Sequence, residues 1–168
     1  MENIMDKKYA DYALGEAVKL LGIDSPSGFT SMAADWVKAR FESLGYEAKI
    51  TGKGGVLINL GGENENDALL LEAHTDTLGA MVAEIKSSGR LRLTNLGGLR
   101  AENCEAENAR VYTRSGAVIE GTLQLCNASV HVNGSYADTK RSFDTTELTK
   151  FAASFDWKTA AEKLFTGA

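Results

Sequence analysis

Apolar positions near the start of the chain recur at the three- and four-residue spacing that predicts amphipathic helices. The first helix is expected over residues 7–21 and ends before Gly22, a residue type common at helix C-termini. The second is expected over residues 30–44 and ends before Gly45. Both helices should pack against a core through these positions: Tyr9, Ala13, Ala17, Leu20 and Leu21 in the first, and Ala33, Trp36, Val37, Phe41 and Leu44 in the second.

After the helices the apolar runs shorten to strand length. They predict strands at residues 46–51, 56–60 and 68–74. Two helices followed by strands indicate an α/β layer, a class whose ligand sites lie at strand ends. The Gly-Lys-Gly-Gly stretch at residues 52–55 lacks the spacing of a phosphate-binding loop and a following helix, so no nucleotide site is predicted there.

Beyond residue 79 the pattern changes to short runs separated by glycine-containing turns. Such a pattern predicts a small β-barrel or sandwich, and residues 110–119 have the form of a hairpin. The predicted strands are residues 80–86, 90–94, 109–113, 118–123 and 129–132.

Composition narrows the function classes. The chain has 168 residues, 43% of them hydrophobic, so it can bury a core in one or two small domains. Its net charge is −5 and its 18 basic residues form no stripe, so nucleic acid is not an expected partner. No apolar run reaches membrane-span length, and residues 1–8 lack the apolar core of a signal peptide. Cys104 and Cys126 lie far apart without metal-site spacing, and are expected to be free thiols of a cytoplasmic protein with no membrane partner.

The candidate chemistry follows the apolar run at residues 68–73. His74 comes directly after it and Asp76 two residues later, so both side chains would leave the strand end on the same side. A histidine can bind a divalent ion through one ring nitrogen while a carboxylate accepts the N–H of the other. His74 is therefore the candidate metal ligand. Asp76 is the candidate catalytic residue, either orienting His74 or binding the metal directly. The spacing leaves a purely structural histidine open as the alternative.

The residues around this pair carry a family resemblance. Residues 73–82, followed by 84–85, 89–91 and 97–98, closely resemble the tetrahedral or glutamyl-type aminopeptidases, a family of dinuclear metallopeptidases. The resemblance extends over about residues 9–147. Further motifs recur in the family's order: Ser-Pro-Ser-Gly at 25–28, Leu-Gly-Tyr at 44–46, Thr-Arg-Ser-Gly at 113–116 and Ser-Val-His-Val at 129–132.

The resemblance implies an organisation and an activity. Residues 1–78 would form the two-helix and β-strand part of an aminopeptidase-like α/β sheet, and residues 79–148 a PDZ-like β-barrel. Residues 149–168 depart from the family pattern and predict a short C-terminal helix begun by Asp156. The implied cofactors are two divalent metal ions, zinc or cobalt. The implied partners are a peptide substrate, hydrolysed at its N-terminal bond, and further copies of the chain in a homo-oligomer.

His131 is the second histidine of the chain. It alternates with Val130 and Val132 on a predicted strand, so a solvent-facing or hydrogen-bonded structural role is the default. A role near the active site stays open, and His131 is not assigned to the metal.

The family's catalytic domain resumes after the barrel and there supplies a bridging aspartate, adjacent glutamates, a further aspartate and a late histidine. No Glu-Glu pair occurs in this sequence, and His74 alone does not hold two metals. We therefore expect an aminopeptidase-like protein whose catalytic half is missing from these residues. The alternatives are a non-catalytic interaction or oligomerisation module, an inactive fragment, and a site that a second chain completes.

Overall fold

Two helices precede a series of short strands in the computed structural model, which describes residues 4–64 and 66–150. The fold is α/β, and the chain divides into two units, Met1–Leu78 and Gly79–Ala168. None of the helices in the described residues is long and apolar enough to cross a membrane.

Helix α1 spans Ile4–Leu21 and helix α2 spans Ser31–Ser43, close to the predicted bounds. Arg40 of α2 links the two helices. Its Nε donates to Glu16 Oε2 at 2.5 Å, and its Nη2 donates to the Tyr12 hydroxyl at 2.9 Å. A polar cluster therefore helps to hold the pair together.

The predicted core stripes are only partly buried. Ala33 of α2 is buried, whereas Leu44 at the end of α2, together with Tyr9 and Leu21 of α1, is exposed. The packing prediction is therefore wrong for much of α1. Helical spacing shows which face is apolar, but burial of that face requires an opposing surface, and spacing does not supply one.

The first hairpin joins β1 (Glu47–Ile50) to β2 (Val56–Asn59), and the two strands lie within the predicted bounds. Thr51 N donates to Gly55 O at 2.7 Å across the turn between them. The glycine-rich stretch at residues 52–55 is thus a hairpin turn.

The predicted strand at residues 68–74 is wrong. Residues 68–76 have no regular structure, and no strand pairing is found for them in the described parts of the chain. Leu69, Leu70 and Leu71 are 84%, 69% and 74% exposed. A strand is stabilised by hydrogen bonds to a neighbouring strand, and an apolar run that lacks such a neighbour has no ladder to join.

A five-stranded antiparallel sheet forms the second unit, in the order β3-β4-β7-β6-β5. Four of its strands correspond to predicted ones. Their bounds are β3 Gly79–Ile85, β4 Leu91–Leu96, β5 Asn108–Tyr112 and β6 Val118–Leu125. The predicted hairpin is confirmed, because β5 pairs with β6 from Tyr112↔Val118 to Asn108↔Thr122. The sheet is antiparallel as a small barrel would be, with β3 and β5 at its two ends.

The fifth strand, β7 (Thr146–Lys150), was not predicted. It lies between β4 and β6, and Leu148 pairs with Leu91 on one side and Leu123 on the other. These three leucines, together with Leu93, are buried and form the core cluster of the unit. Residues 149 and 150, the described part of the predicted divergent tail, belong to β7. The short helix predicted within that tail lies outside the described residues.

The predicted strand at residues 129–132 is also wrong. Turns occupy this region, and Asn133 N donates to Ser129 O at 2.8 Å. Val130 and Val132 are exposed. Alternating valines fit a strand, but the short-range hydrogen bond within residues 129–133 takes the backbone into a turn instead.

Glu147 is a buried carboxylate inside β7. Its two oxygens accept hydrogen bonds from Lys86 Nζ and, at 3.3 Å, from Arg90 Nη1. Burial alone would raise the pKa of Glu147, but these two cations outweigh it and the pKa is lowered below its ordinary value. The ionised carboxylate is therefore the form that the folded unit favours.

Cys104 and Cys126 are free thiols, as predicted. Burial is the first cause that raises the pKa of each thiol. Both are accordingly held in the protonated, weakly nucleophilic form.

Gly121 lies where β6 is paired on both sides. A Cβ added there would meet Thr149 O at 2.6 Å, a backbone atom that cannot move without disturbing β7. We expect Gly121→Ala to lower the free energy of unfolding by about 1–3 kcal/mol through overpacking. Chemical denaturation monitored by circular dichroism measures the change. Gly98→Ala is the matched control because a Cβ there meets nothing within 4 Å, and equal stability of the two variants would contradict the packing.

The Glu147 cluster predicts a pH dependence. A carboxylate whose folded-state pKa is lowered adds stability above its ordinary pKa of 4.5, and this is lost as the pH falls through the folded-state value. Glu147→Gln should remove that part of the acid sensitivity, and should cost about 1–3 kcal/mol at neutral pH. Denaturant titrations across the acidic range test both effects. Gln at the exposed Glu107 should change neither, and an unaltered pH profile for Glu147→Gln would refute the assignment.

Candidate functional site

The exposed segment 68–76 carries both predicted site residues. His74 Nδ1 lies 2.9 Å from Asp76 Oδ1 and 3.1 Å from the Asp76 carbonyl oxygen. The contact spans only two positions along the chain, so it forms without the strand that was predicted to present it. The structure therefore brings His74 and Asp76 together by a local route.

Ser27 is a third member of this group. Its Oγ donates to Asp76 Oδ2 at 2.5 Å across 49 positions of sequence. Each carboxylate oxygen of Asp76 thus accepts one side-chain hydrogen bond, one from Ser27 and one from His74. We call these three residues the Ser27–Asp76–His74 relay.

Backbone contacts fix the register of the two segments that form the relay. Pro26 and Thr77 form a parallel β-bridge, and Thr77 N donates to Ser25 O at 2.7 Å. Ser25 itself is only 1% exposed. The two residues before Ser27 are therefore tied to the residue that follows Asp76.

A tight turn presents Ser27. Phe29 N donates to Pro26 O at 2.7 Å, and Gly28 has φ +86°. A positive φ at the third residue of a β-turn is typical of type II and favours glycine, and proline fixes the backbone at the residue before Ser27. The Ser-Pro-Ser-Gly motif is thus suited to holding the Ser27 side chain at a turn.

The hydrogen bonds of the relay set the charge state of Asp76. The Ser27 hydroxyl, followed by the His74 ring, lowers the pKa of the Asp76 carboxyl below its ordinary value. An ionised carboxylate only accepts, so the His74 nitrogen facing it must be a donor. In a neutral ring the other nitrogen, Nε2, then carries the lone pair, and His74 is 85% exposed.

The described residues do not form a complete metal site. At the relay they supply one imidazole, that of His74. Among residues 4–64 and 66–150, no three histidine, cysteine, aspartate or glutamate side chains are grouped to hold an ion. Three protein ligands are usual for a catalytic zinc ion. His74, with its ring oriented by Asp76, fits the role of one of these ligands.

His131 lies in an exposed turn. It belongs to the second unit, whereas the relay belongs to the first.

A shallow depression of about 230 Å³ is formed by the turn after Ser27 and its surroundings. Neither His74 nor Asp76 lines it. The depression is therefore a cavity without either candidate site residue. Its lining residues are Gly28, Phe29, Thr30, Ser31, Ala34, Ile50 and Gly54.

Sequence reasoning missed Ser27 as a functional candidate. In the sequence, the Ser-Pro-Ser-Gly motif enters only as part of the family resemblance. Ser27 and Asp76 are 49 positions apart, so no local sequence pattern indicates that the hydroxyl contacts the carboxylate. Only the pairing of residues 25–26 with Thr77 shows it.

An exposed imidazole oriented by a carboxylate on an α/β scaffold is an arrangement typical of metal-ligand residues in enzymes. Residues 54–163 match the sequence profile of the M42 glutamyl aminopeptidases, and the chain belongs to that family. The family resemblance read from the sequence is confirmed.

Two curated relatives are similar to the chain. YhfE of Bacillus subtilis (strain 168), named provisionally as an aminopeptidase, is 34% identical over 130 residues, which are 77% of this chain and 38% of that protein. The glutamyl aminopeptidase of Lactococcus lactis subsp. cremoris (strain MG1363) is 34% identical over 101 residues, 60% of this chain and 28% of that one. The chain therefore spans less than two fifths of the length of either relative.

Solved structures share the fold. The TET aminopeptidase from the marine sediment archaeon Thaumarchaeota archaeon SCGC AB-539-E09 superposes with a TM-score of 0.76 at 21% identity, over 94% of this chain and 43% of that one. Aminopeptidase APDkam598 from the archaeon Desulfurococcus kamchatkensis gives 0.71 at 23% identity, over 86% and 38%. PhTET1-12s, solved as a dodecamer, gives 0.69 at 20%, over 87% and 40%.

The exposed leucines that precede His74 predict self-association. Contiguous apolar surface favours burial against another surface, and residues 69–71 offer it on an unpaired backbone. We expect light scattering of the purified chain to show an apparent mass that rises with concentration. Replacing all three leucines with serine should reduce the rise. Val132→Ser, which also replaces an exposed apolar residue but lies outside this run, should not reduce it. A monomer at every concentration would contradict the prediction.

Proposed function

We propose that the chain contributes to a metal-dependent aminopeptidase, which hydrolyses the N-terminal bond of a peptide substrate. Family membership and the shared fold support an aminopeptidase-like function. The observation that carries the proposal at this site is the 2.9 Å contact between His74 Nδ1 and Asp76 Oδ1. It favours the tautomer in which Nε2 is available to a cation.

In this proposal His74 is a metal ligand and Asp76 the catalytic residue that holds the ring in place. The M42 family is generally dependent on two metal ions, with zinc or cobalt as the proposed metals. Bound metal would lower the pKa of a water and polarise the scissile carbonyl. Since the described residues provide only one oriented imidazole, the remaining ligands would come from outside them, in the same or a second chain.

The roles of the chain's own residues can be stated without the metal. Asp76 accepts the Nδ1 proton of His74, which fixes the tautomer and raises the basicity of Nε2. The exposure of the His74 side chain leaves that nitrogen accessible to a ligand. Loss of Asp76 would allow the ring to rotate and to exchange tautomers.

We further propose that residues 79–148 form a PDZ-like domain that supports homo-oligomer assembly. Its antiparallel sheet ends at β3 and β5, and such edges can accept another strand. PhTET1-12s, which shares the fold, is a dodecamer. A cytoplasmic location is proposed because the two cysteines are free, as is usual in a reducing compartment.

The second candidate is a non-catalytic interaction or oligomerisation module, or an inactive fragment. Two observations favour it: no three-donor cluster is found within the described residues, and the sheet presents two end strands. In that case the relay would be a structural hydrogen-bond group. The two candidates differ in whether the chain binds a metal.

Metal content per chain, measured beside turnover of aminoacyl chromogenic substrates with added zinc, cobalt or manganese, distinguishes them. We expect stoichiometric metal and activity, both lost in His74→Ala. Asp76→Asn should lower metal affinity or activity by about 10–100-fold, as is typical when the partner of a ligating histidine is removed.

His131→Ala is the matched control, and should leave both measurements unchanged. No stoichiometric metal and no turnover would support the non-catalytic candidate. Metal and turnover that appear only when a second protein copurifies would indicate ligands supplied in trans.

A further inference from the structure

We propose that Ser27 is a positioning residue for His74, acting through the Asp76 carboxylate. Its relevance to catalysis rests on the proposed function, whereas the relay itself involves only this chain's own side chains. Nothing in the local sequence around His74 indicates the contribution of Ser27.

The geometry gives each group one role. Ser27 Oγ lies 2.5 Å from Asp76 Oδ2, and His74 Nδ1 lies 2.9 Å from Asp76 Oδ1. The hydroxyl and the ring N–H must both donate, because an ionised carboxylate has only acceptors. Two donors on opposite oxygens fix the rotation of the carboxylate about its Cβ–Cγ bond. A carboxylate held in this way presents one oxygen to the histidine.

Ser27 matters here because little else restrains the pair. The side chains of His74 and Asp76 are 85% and 42% exposed, and their segment has no regular structure. In such surroundings packing cannot fix the ring, so hydrogen bonds must do so. Within the described residues, the hydrogen bond from Ser27 is the side-chain contact that ties the pair to a distant part of the chain.

The backbone around Ser27 is itself held in place. The bridge between Pro26 and Thr77 and the hydrogen bond from Thr77 N to Ser25 O fix the register of the two segments. Gly28, with φ +86°, completes the turn that bears the Ser27 hydroxyl. The hydroxyl is thus delivered to Asp76 by a preformed turn, which lowers the entropy cost of the contact.

Ser25 provides a built-in comparison within the same motif. Its Oγ is buried and has no hydrogen-bond partner in the described part of the chain. It contributes to the site through its backbone carbonyl, which alanine would keep. Ser25→Ala therefore removes a hydroxyl of the same kind, two residues away, without touching the relay.

The test reads the imidazole directly. The chain has two histidines, so nitrogen-15 labelling of histidine gives two ring systems, and His131→Gln identifies the signals of His74. The metal-free chain is studied at a pH where both rings are neutral. We expect the nitrogen shifts of His74 to show one dominant tautomer with the proton on Nδ1. His131, in an exposed turn, serves as the reference.

Ser27→Ala should move the His74 shifts towards a mixture of tautomers, whereas Ser27→Thr, which keeps a hydroxyl, should restore them. Ser25→Ala should leave them unchanged. In the metal-binding assay Ser27→Ala should weaken affinity by about 10-fold, at the low end for loss of an outer partner. Circular dichroism of each variant confirms that it is folded.

The outcomes separate this proposal from the proposed function. An unchanged His74 tautomer in folded Ser27→Ala would overturn the positioning role even if metal binds. An equal change in Ser25→Ala would also overturn it, because the effect would then belong to the turn and not to the hydroxyl. A chain that binds no metal but shows the tautomer change would keep the relay and reject the metal-dependent activity.

Discussion

The sheet of the second unit depends on one strand. Among the described residues, β7 is the strand that joins the β3–β4 hairpin to the β5–β6 hairpin. An isolated hairpin is only marginally stable in water, because it buries too little apolar surface. Leu148 supplies the buried link, since it pairs with both neighbours, and Gly121 allows the close backbone approach on the β6 side. The core cluster exists because β7 occupies that place.

Glu147 shows what this position requires. Like its neighbours in sequence, Thr146 and Leu148, it is buried, although its side chain points to the opposite face of the strand. Burying an unpaired charge is costly, and Lys86 and Arg90 meet that requirement from the turn between β3 and β4. The pair of cations therefore couples the β3–β4 hairpin to the central strand, in addition to the leucine contacts.

Local signals account for what could be predicted from the sequence. The helices follow from apolar spacing, the strands β1 and β2 from short apolar runs, and the β5–β6 hairpin from two such runs around a glycine turn. The His74–Asp76 contact also lies within reach of sequence reasoning because it spans two residues. In contrast, β7 has a single aliphatic residue and a charge in its middle, and its burial depends on cations some sixty residues earlier. The prediction of a strand at residues 68–74 is wrong for the opposite reason. The composition of the segment suits a strand, but it does not show whether a neighbouring strand is available to pair with it.

The relay joins a local contact to a distant one, and this has a thermodynamic consequence. Ser27 contacts Asp76 across 49 positions and requires the turn at residues 26–29, whereas His74 and Asp76 are only two positions apart in the sequence. Binding equilibria that share a conformational state influence each other by the same factor in both directions. Whatever binds preferentially to the ring orientation held by Ser27 therefore stabilises the turn by mass action, and an ordered turn in return strengthens that binding. Ligand binding at His74 and ordering of the turn at Gly28 therefore report the same conformational equilibrium.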